Sequence, residues 1–475
     1  MSAARTATLS TLALVALGGA FAGGWFAHAA RVRSLVRQVE RTPSPPPRPL
    51  TRPVPAPRPE EPAREQPPSP SPPREFRGDR MHTGRSGYAL PLDLVVRHRV
   101  QTGGRISTQP AVNNNGRLVF GSHDGTLYGL DVDRGSILWR INSGDRIYSS
   151  PLVTDDGTAY AGTDADRLFS VDLRGHLRWA LATDNDADTA PARASDGTIR
   201  FAAGRVLYSV TSELTVRWRL QFGAKLYSSP LVLPDGTTLI GCQDDKLYAV
   251  DANGAVRWQA ETGGDVDATP AVHNETAFVG SDDGHVYALS VHDGARRWRT
   301  PVGGYVRAGA AIGLDGRVVV GTFGPHPRIV ALEPSTGAIV WSVAITGGPP
   351  TAEWGVASSA LVDRDGRYAV GIPNGQLWVI ERDGTVLDRV SLGDSAVDSS
   401  PILVRDALVA VGNDDGTLFL LGPAAPARDA RDADATAPET SPETSPESPS
   451  ETSSHNSPSL NDSAVTEVIP DARAR

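Results

Sequence analysis

Few residues in this chain have the types and spacing that could do chemistry. Cys242 is the single cysteine among 475 residues, so an intramolecular disulfide, a vicinal cysteine pair and a thiolate metal cluster are all excluded. The densest run of oxygen donors is Asp184-Asn185-Asp186-Ala187-Asp188, whose alternating donors resemble the opening of a calcium loop. Its sixth position is Thr189 rather than glycine and no glutamate stands at its twelfth. The run therefore reads as an acidic loop, and no metal is assigned. Neither a nucleophile elbow, nor HExxH, nor a phosphate-binding glycine loop occurs. No catalytic residue, cofactor-binding residue or cofactor is assigned, and the chain is expected not to be an enzyme.

A second set of polar and aromatic residues recurs with a long period. Ser107, Tyr148, Asp188, Tyr227, Asp267, Arg307, Ala357 and Asp398 each stand three residues before a strand-opening Pro110, Pro151, Pro191, Pro230, Pro270, Ala310, Ala360 or Pro401. The residue before each of them is apolar (Ile106, Ile147, Ala187, Leu226, Val266, Val306, Val356 and Val397). This alternation buries one set and turns the other outward. Tyr148, Asp188, Tyr227, Asp267, Arg307 and Asp398 are expected to form a mixed acidic and aromatic rim around a channel mouth. The alternative is that this rim only caps the channel with water. A third set, Phe323, His326 and Trp354, lies on two lengthened, proline-stiffened loops at 322–327 and 346–355. It is expected to be an exposed patch for a partner.

The elements that must position these residues follow from the same period. The opening positions lie 41, 40, 39, 40, 40, 50 and 41 residues apart by subtraction. Units of about 40 residues, with short strands and glycine/aspartate turns, are the signature of propeller blades. The first unit reads as four strands, 110–112, 117–121, 126–131 and 136–141, separated by NNNG, SHDG and DVDRG turns. Trp139, Trp179, Trp218, Trp258, Trp298 and Trp341 fall at one phase on the fourth strand of blades one to six, where a large ring packs between blades. Asp388 takes that place in blade seven.

The last unit, from Pro401 to Leu421, has three strands. Its missing strand is expected from the N-terminal side, because Val96–Gly104 aligns with Val256–Gly264. His98 stands twelve residues before Pro110, as Trp258 stands twelve before Pro270. The expectation is an all-β, eight-bladed propeller of four-stranded antiparallel blades whose N-terminal strand closes the last blade and removes a free edge.

The phrases LYGLDVDRGSILW, LYAVDANGAVRW and IVALEPSTGAIVW, with DRMHTGRSG (Asp79–Gly87) ahead of the first blade, resemble the pyrroloquinoline-quinone-like (PQQ-like) repeat propellers over residues 79–422. That family includes quinoprotein dehydrogenases and non-catalytic scaffolds similar to the propeller lipoprotein of the outer-membrane β-barrel assembly machine. The resemblance implies the fold more strongly than any activity. The dehydrogenases carry a vicinal cysteine pair, calcium ligands, a catalytic aspartate and long lid insertions; the pair and the insertions are missing here. The resemblance thus implies a protein–protein interaction scaffold with an unidentified protein partner. A periplasmic ligand-binding or ligand-sensing propeller is the first alternative and a degenerate quinoprotein dehydrogenase the second. No feature points to a particular small molecule.

Outside the repeat, residues 7–30 of the N-terminal region 1–41 are apolar and uncharged apart from His28. At about 1.5 Å per residue this stretch is long enough for one bilayer-spanning helix. It reads as a signal anchor or, with Ala27-His28-Ala29 as cleavage site, as a signal peptide. Arg31, Arg33, Arg37 and Arg41 follow it; the positive-inside tendency would keep that side cytoplasmic, and cleavage resolves the conflict. Attachment to the membrane through this segment, with an extracytoplasmic propeller, or release after cleavage, is expected. Residues 42–78 read as a proline-rich linker and 423–475 as a disordered acidic tail. The formal net charge of −9 gives no basic footprint, and no nucleic-acid partner is expected.

Overall fold

A computed structural model describes residues 65–69, 71–113, 115–349, 351–424 and 466–468. The apolar stretch 7–30, most of the proline-rich linker and most of the tail lie outside the described residues, and no described helix is long and apolar enough to cross a membrane.

Eight antiparallel sheets form the fold, one per repeat. In each blade the innermost strand is short: Ala111–Val112 in blade one and Leu231–Val232 in blade four are typical. The two middle strands, such as Thr238–Cys242 and Lys246–Val250, are buried on both faces and read as apolar runs. The outer strands alternate, as in Leu177–Ala182, where every second side chain is exposed. The core is not one mass but a series of slabs between neighbouring blades. Blades four and five, for example, are joined by Leu247, Trp258, Val266, Ala277 and Tyr287.

Blade eight is built from both ends of the propeller. Leu94–Gln101 pairs antiparallel with Thr417–Pro423, and His98 lies opposite Leu420. Blade one carries a fifth strand, Thr466–Val468 of the tail, in parallel pairing with Ser136–Asn142.

The tryptophans make the joints between blades. The indole N–H of Trp218 donates to Ala252 O at 2.8 Å, Trp258 to Val291 O at 3.0 Å, Trp298 to Pro334 O at 2.9 Å and Trp341 to Arg382 O at 2.8 Å. Each acceptor lies in the turn before the outer strand of the following blade, and a glycine of that turn lies against the ring. Gly254 has φ +90° and would drive a Cβ to 2.8 Å from Trp218, so glycine is required there both sterically and conformationally. His98 occupies the equivalent place against Gly135 of blade one.

Hydroxyl groups next to the opening prolines form a second joint around the channel. Ser150, Ser229, Thr269, Ser359 and Ser400 accept from the backbone N–H groups of Gln109, Ala190, Ser229, Gly309 and Ser359, each on the preceding blade. Ser399 of blade eight donates to Thr108 O of blade one at 2.8 Å, joining the first and last blades.

One correction concerns the linker. The composition of 42–78 predicts a free spacer to residue 78, but Pro73–Gly78 packs into the ring. The reason is that the innermost strands leave N–H donors facing the channel, and the carbonyls of this segment accept from them. Pro73 O and Arg74 O accept from Val112 N and Val153 N of the innermost strands, at 2.7 and 2.8 Å. Met81 O, Thr83 O and Gly84 O do the same for Val272, Ile312 and Val362. This segment crosses one end of the channel as a plug and satisfies inner-strand donors that have no neighbouring strand.

Arg77 is buried at the centre of this crossing. Its guanidinium donates to Ala310 O and Ala360 O, and burial lowers its pKa to about 10. Asp79 folds the segment by accepting from Met81 N, Thr83 N and the Thr83 hydroxyl. His82 is held neutral, its pKa pushed down to about 3 by burial and secondarily by Arg77.

Candidate functional site

The loops leading from each outer strand into the next blade all lie on the face opposite the plug. Ser107, Tyr148, Asp188, Tyr227, Asp267, Arg307, Ala357 and Asp398 line a single cup of about 190 Å³ there. Below them comes the hydroxyl belt (Ser150, Ser229, Thr269, Ser359 and Ser400), and Phe76 of the plug lies at the bottom. The cup is thus open on the loop face and floored from the other side.

The rim residues are held from behind by the turns between the middle strands. Ser107 Oγ lies 2.8 Å from His123 Nε2, and the His123 ring packs against Tyr148 with centroids 4.0 Å apart. Gln243 Nε2 reaches Asp267 Oδ2 at 3.4 Å. Arg307 clasps Asp282 through Nε at 3.1 Å and Nη2 at 2.6 Å. Arg105 bridges Asp398 and Asp414 at 2.9 and 2.8 Å. Asp164 stands behind Asp188.

Sequence reasoning does not single out these neighbours. The available signal is the acidic residue opening several of those turns, at Asp164, Asp282 and Asp414. The second residue of such turns acts elsewhere, since Asp124, Asp244 and Asp283 accept the hydroxyls of Tyr128, Tyr248 and Tyr287 within the blade edge.

The electrostatics are lopsided. Burial, then Asp188, raise the Asp164 carboxyl, and Asp188 is raised by burial as well. Burial, then Asp282, raise Asp267 to about 7 despite Arg307. Burial and Asp414 raise Asp398 to about 6 despite Arg105. A buried carboxylate disfavours its charged form unless a cation faces it, and the guanidinium that lines this cup, Arg307, is already clasped to Asp282.

The acidic run 184–188 does not converge. Asp184 Oδ2 accepts from Arg219 at 3.0 Å and from Tyr208 at 3.2 Å, whereas Asp188 faces the cup. Among the described residues no three acidic, histidine or cysteine side chains gather as a metal site would need.

The three patch residues do not form one exposed surface. His326 is exposed, but Phe323 and Trp354 are half-buried. Phe323 is stitched between Tyr305 and Gly355 by bridge pairing, and the Arg307 guanidinium lies 5.7 Å from its ring centroid. Trp354 packs on the slab between blades six and seven, and a Cβ on Gly348 would collide with its ring at 2.0 Å. The lengthened loops therefore cover their own apolar side chains: a Trp or Phe at a loop base gains more from burial than from water. What they add to the rim is the positioning of Arg307.

The fold defines the class: a closed, eight-bladed propeller of PQQ-like repeats. The profile of the family described as outer membrane protein assembly factor BamB matches residues 92–216 and 202–424, and the chain belongs to that family. BamB from Moraxella catarrhalis superposes with a TM-score of 0.57 at 17% identity, covering 69% of this chain and 99% of that one. The quinohemoprotein alcohol dehydrogenase of Comamonas testosteroni gives 0.64 at 12% identity, over 75% and 81% of the two chains. A europium-containing methanol dehydrogenase gives 0.61 at 12%, over 74% and 98%. At such identities the likeness is one of fold. No curated protein matches the sequence.

The dehydrogenase likeness raises the fit of pyrroloquinoline quinone, a tricarboxylate. The cup meets it with Asp188, Asp267 and Asp398, and its lining guanidinium, Arg307, already binds Asp282. Like charges in a desolvated site repel strongly, and the residues present do not fit this group.

Proposed function

We propose that this chain is a non-enzymatic, envelope-associated propeller that holds a protein partner on its loop-rich face. The observation that carries the reading is the match of the whole ring, residues 92–424, to the assembly-factor family. The description of that family also supports a place in the cell envelope, and the apolar segment 7–30 supports attachment to, or export across, a membrane. The plugged face offers bound backbone and buried polar groups. The opposite face offers the rim and the lengthened loops of blade six, where His326 is exposed.

The test is site-specific photo-crosslinking in the native envelope. The probe is placed at His326 on the loop face or at Asp365 in a turn on the plugged face. A discrete adduct from position 326 that is missing from 365 is expected. Indistinguishable diffuse labelling from both positions would refute the reading.

Binding of a small molecule in the cup is the second reading, favoured by one observation: the cup is open above and closed below by Phe76.

A further inference from the structure

Four successive blades place Tyr148, Asp188, Tyr227 and Asp267 in order around half of the cup. Aromatic and carboxylate thus alternate along one arc. The rings are unusually open for tyrosines in this fold, with Tyr148 39% and Tyr227 42% exposed. Asp267 is half-buried in the lining of the cup, and its Oδ1 is buried with no hydrogen-bond partner. Its other oxygen has only the 3.4 Å contact with Gln243. A buried acceptor left unmade costs about 1–3 kcal/mol, more when charged, so this oxygen points to a missing donor.

The cations near the cup do not supply that donor. Arg307 is committed to Asp282, and Arg105 to Asp398 and Asp414. Lys225 lies over the Tyr227 ring at 5.6 Å from its centroid and acts on Asp186 and Asp188. Asp265 adds further negative charge beside Asp267.

We infer that the arc Tyr148–Asp188–Tyr227–Asp267 is a binding site for an alkylammonium group. Its N–H donors would meet the Asp267 carboxylate and the Asp164–Asp188 pair, and its methylenes would lie on the tyrosine faces, where a cation is attracted by the ring quadrupole. A metal ion is disfavoured because no three ligating groups converge among the described residues. Lys225 already samples this chemistry from the edge of the arc. A free amine and a lysine of a bound protein offer the same head group. The site stands without the partner reading, since a free amine suffices.

Binding also moves a proton. Asp267, held near 7 by burial, Asp282 and Asp265 against Arg307 and Gln243, is part-protonated at neutral pH and ionises when a cation arrives.

Calorimetric titration of the full-length protein with 1,4-diaminobutane at pH 7 tests the site, with 1,4-butanediol as the neutral isostere. Saturable binding of the diamine and none of the diol is expected. Heats measured in buffers of different ionisation enthalpy should reveal proton release. Asp267→Asn should weaken binding by roughly tenfold or more and reduce the proton release. The surface variant Tyr148→Leu/Tyr227→Leu should weaken binding without lowering the melting temperature.

A lysine amide blocked at both ends serves as the second ligand. If it binds more tightly than the diamine, the ammonium belongs to a protein side chain; the reverse order assigns it to a free amine. The site is overturned if neither ligand binds saturably, or if folded Asp267→Asn binds both as the wild type does. Loss of amine binding with the 326-specific crosslink retained would refute the site and leave the partner reading intact.

Discussion

Replacing Asp267 by asparagine should change how stability depends on pH. The carboxyl ionises near 3.8 when unfolded and at about 7 in the folded cup. Its folded pKa is raised, so between those values the folded state binds more protons than the unfolded state, and stability falls as pH rises. Each pH unit across that window is worth about 1.4 kcal/mol. From pH 5 to pH 8 the wild type should therefore lose about 2–3 kcal/mol on this group alone, an upper figure because the cup is open to water. Asparagine keeps the shape and cannot ionise, so the variant keeps that stability. Urea unfolding of both proteins at pH 5 and pH 8 reads the difference directly. The variant should gain on the wild type by about 2 kcal/mol over this interval, with unchanged m-values. Parallel pH dependences for the two proteins would refute the claim that burial and Asp282 outweigh Arg307 at Asp267.

Other consequences are independent of the cup. Trp258→Ala removes a buried ring and its bond to Val291 O, and should cost about 3–5 kcal/mol in denaturant unfolding. Arg77→Ala leaves Ala310 O and Ala360 O without their donor and should cost about 2–4 kcal/mol, with faster amide exchange at Ile312 and Val362 as the plug loosens. Cys242 is buried and its thiol is pushed up to about 12 by desolvation; it should resist a thiol-reactive dye at pH 8 in the native protein and react fully in denaturant. Addition of pyrroloquinoline quinone and calcium should produce no alcohol-dependent dye reduction; sustained reduction would contradict the poor fit of the cup to that cofactor.

The repeat is readable because a propeller sets the same residue in the same place in every blade. The ring of Trp258 and the turn glycine of the next blade recur in step, and the position three before each opening proline follows from strand alternation alone. That arithmetic is enough to place Asp188, Asp267 and Asp398 together, although they lie far apart in sequence.

What the repeat does not encode is not readable. The plug is a single copy, and its grip depends on carbonyls of Pro73 and Thr83, whose hydrogen bonds no side-chain pattern reveals. The partners behind the rim, Asp164 and Asp282, sit in turns where aspartate is ordinary turn chemistry, so their second role has no separate signal. The loops of blade six are visible as extra length. Whether Phe323 and Trp354 face water or the slab beneath them is decided by backbone bridges such as Phe323 to Gly355, which composition cannot show.

The central claim is that the loop face, not the plugged face, holds a protein partner. Among the described residues the only lysines, Lys225 and Lys246, both lie on the loop face. Amine-reactive crosslinking of the full-length chain in its native envelope, read by mass spectrometry, therefore reports on that face of the propeller. The account predicts crosslinks from both lysines to one and the same protein. Intact, folded chain with no recurrent partner at either lysine would contradict it.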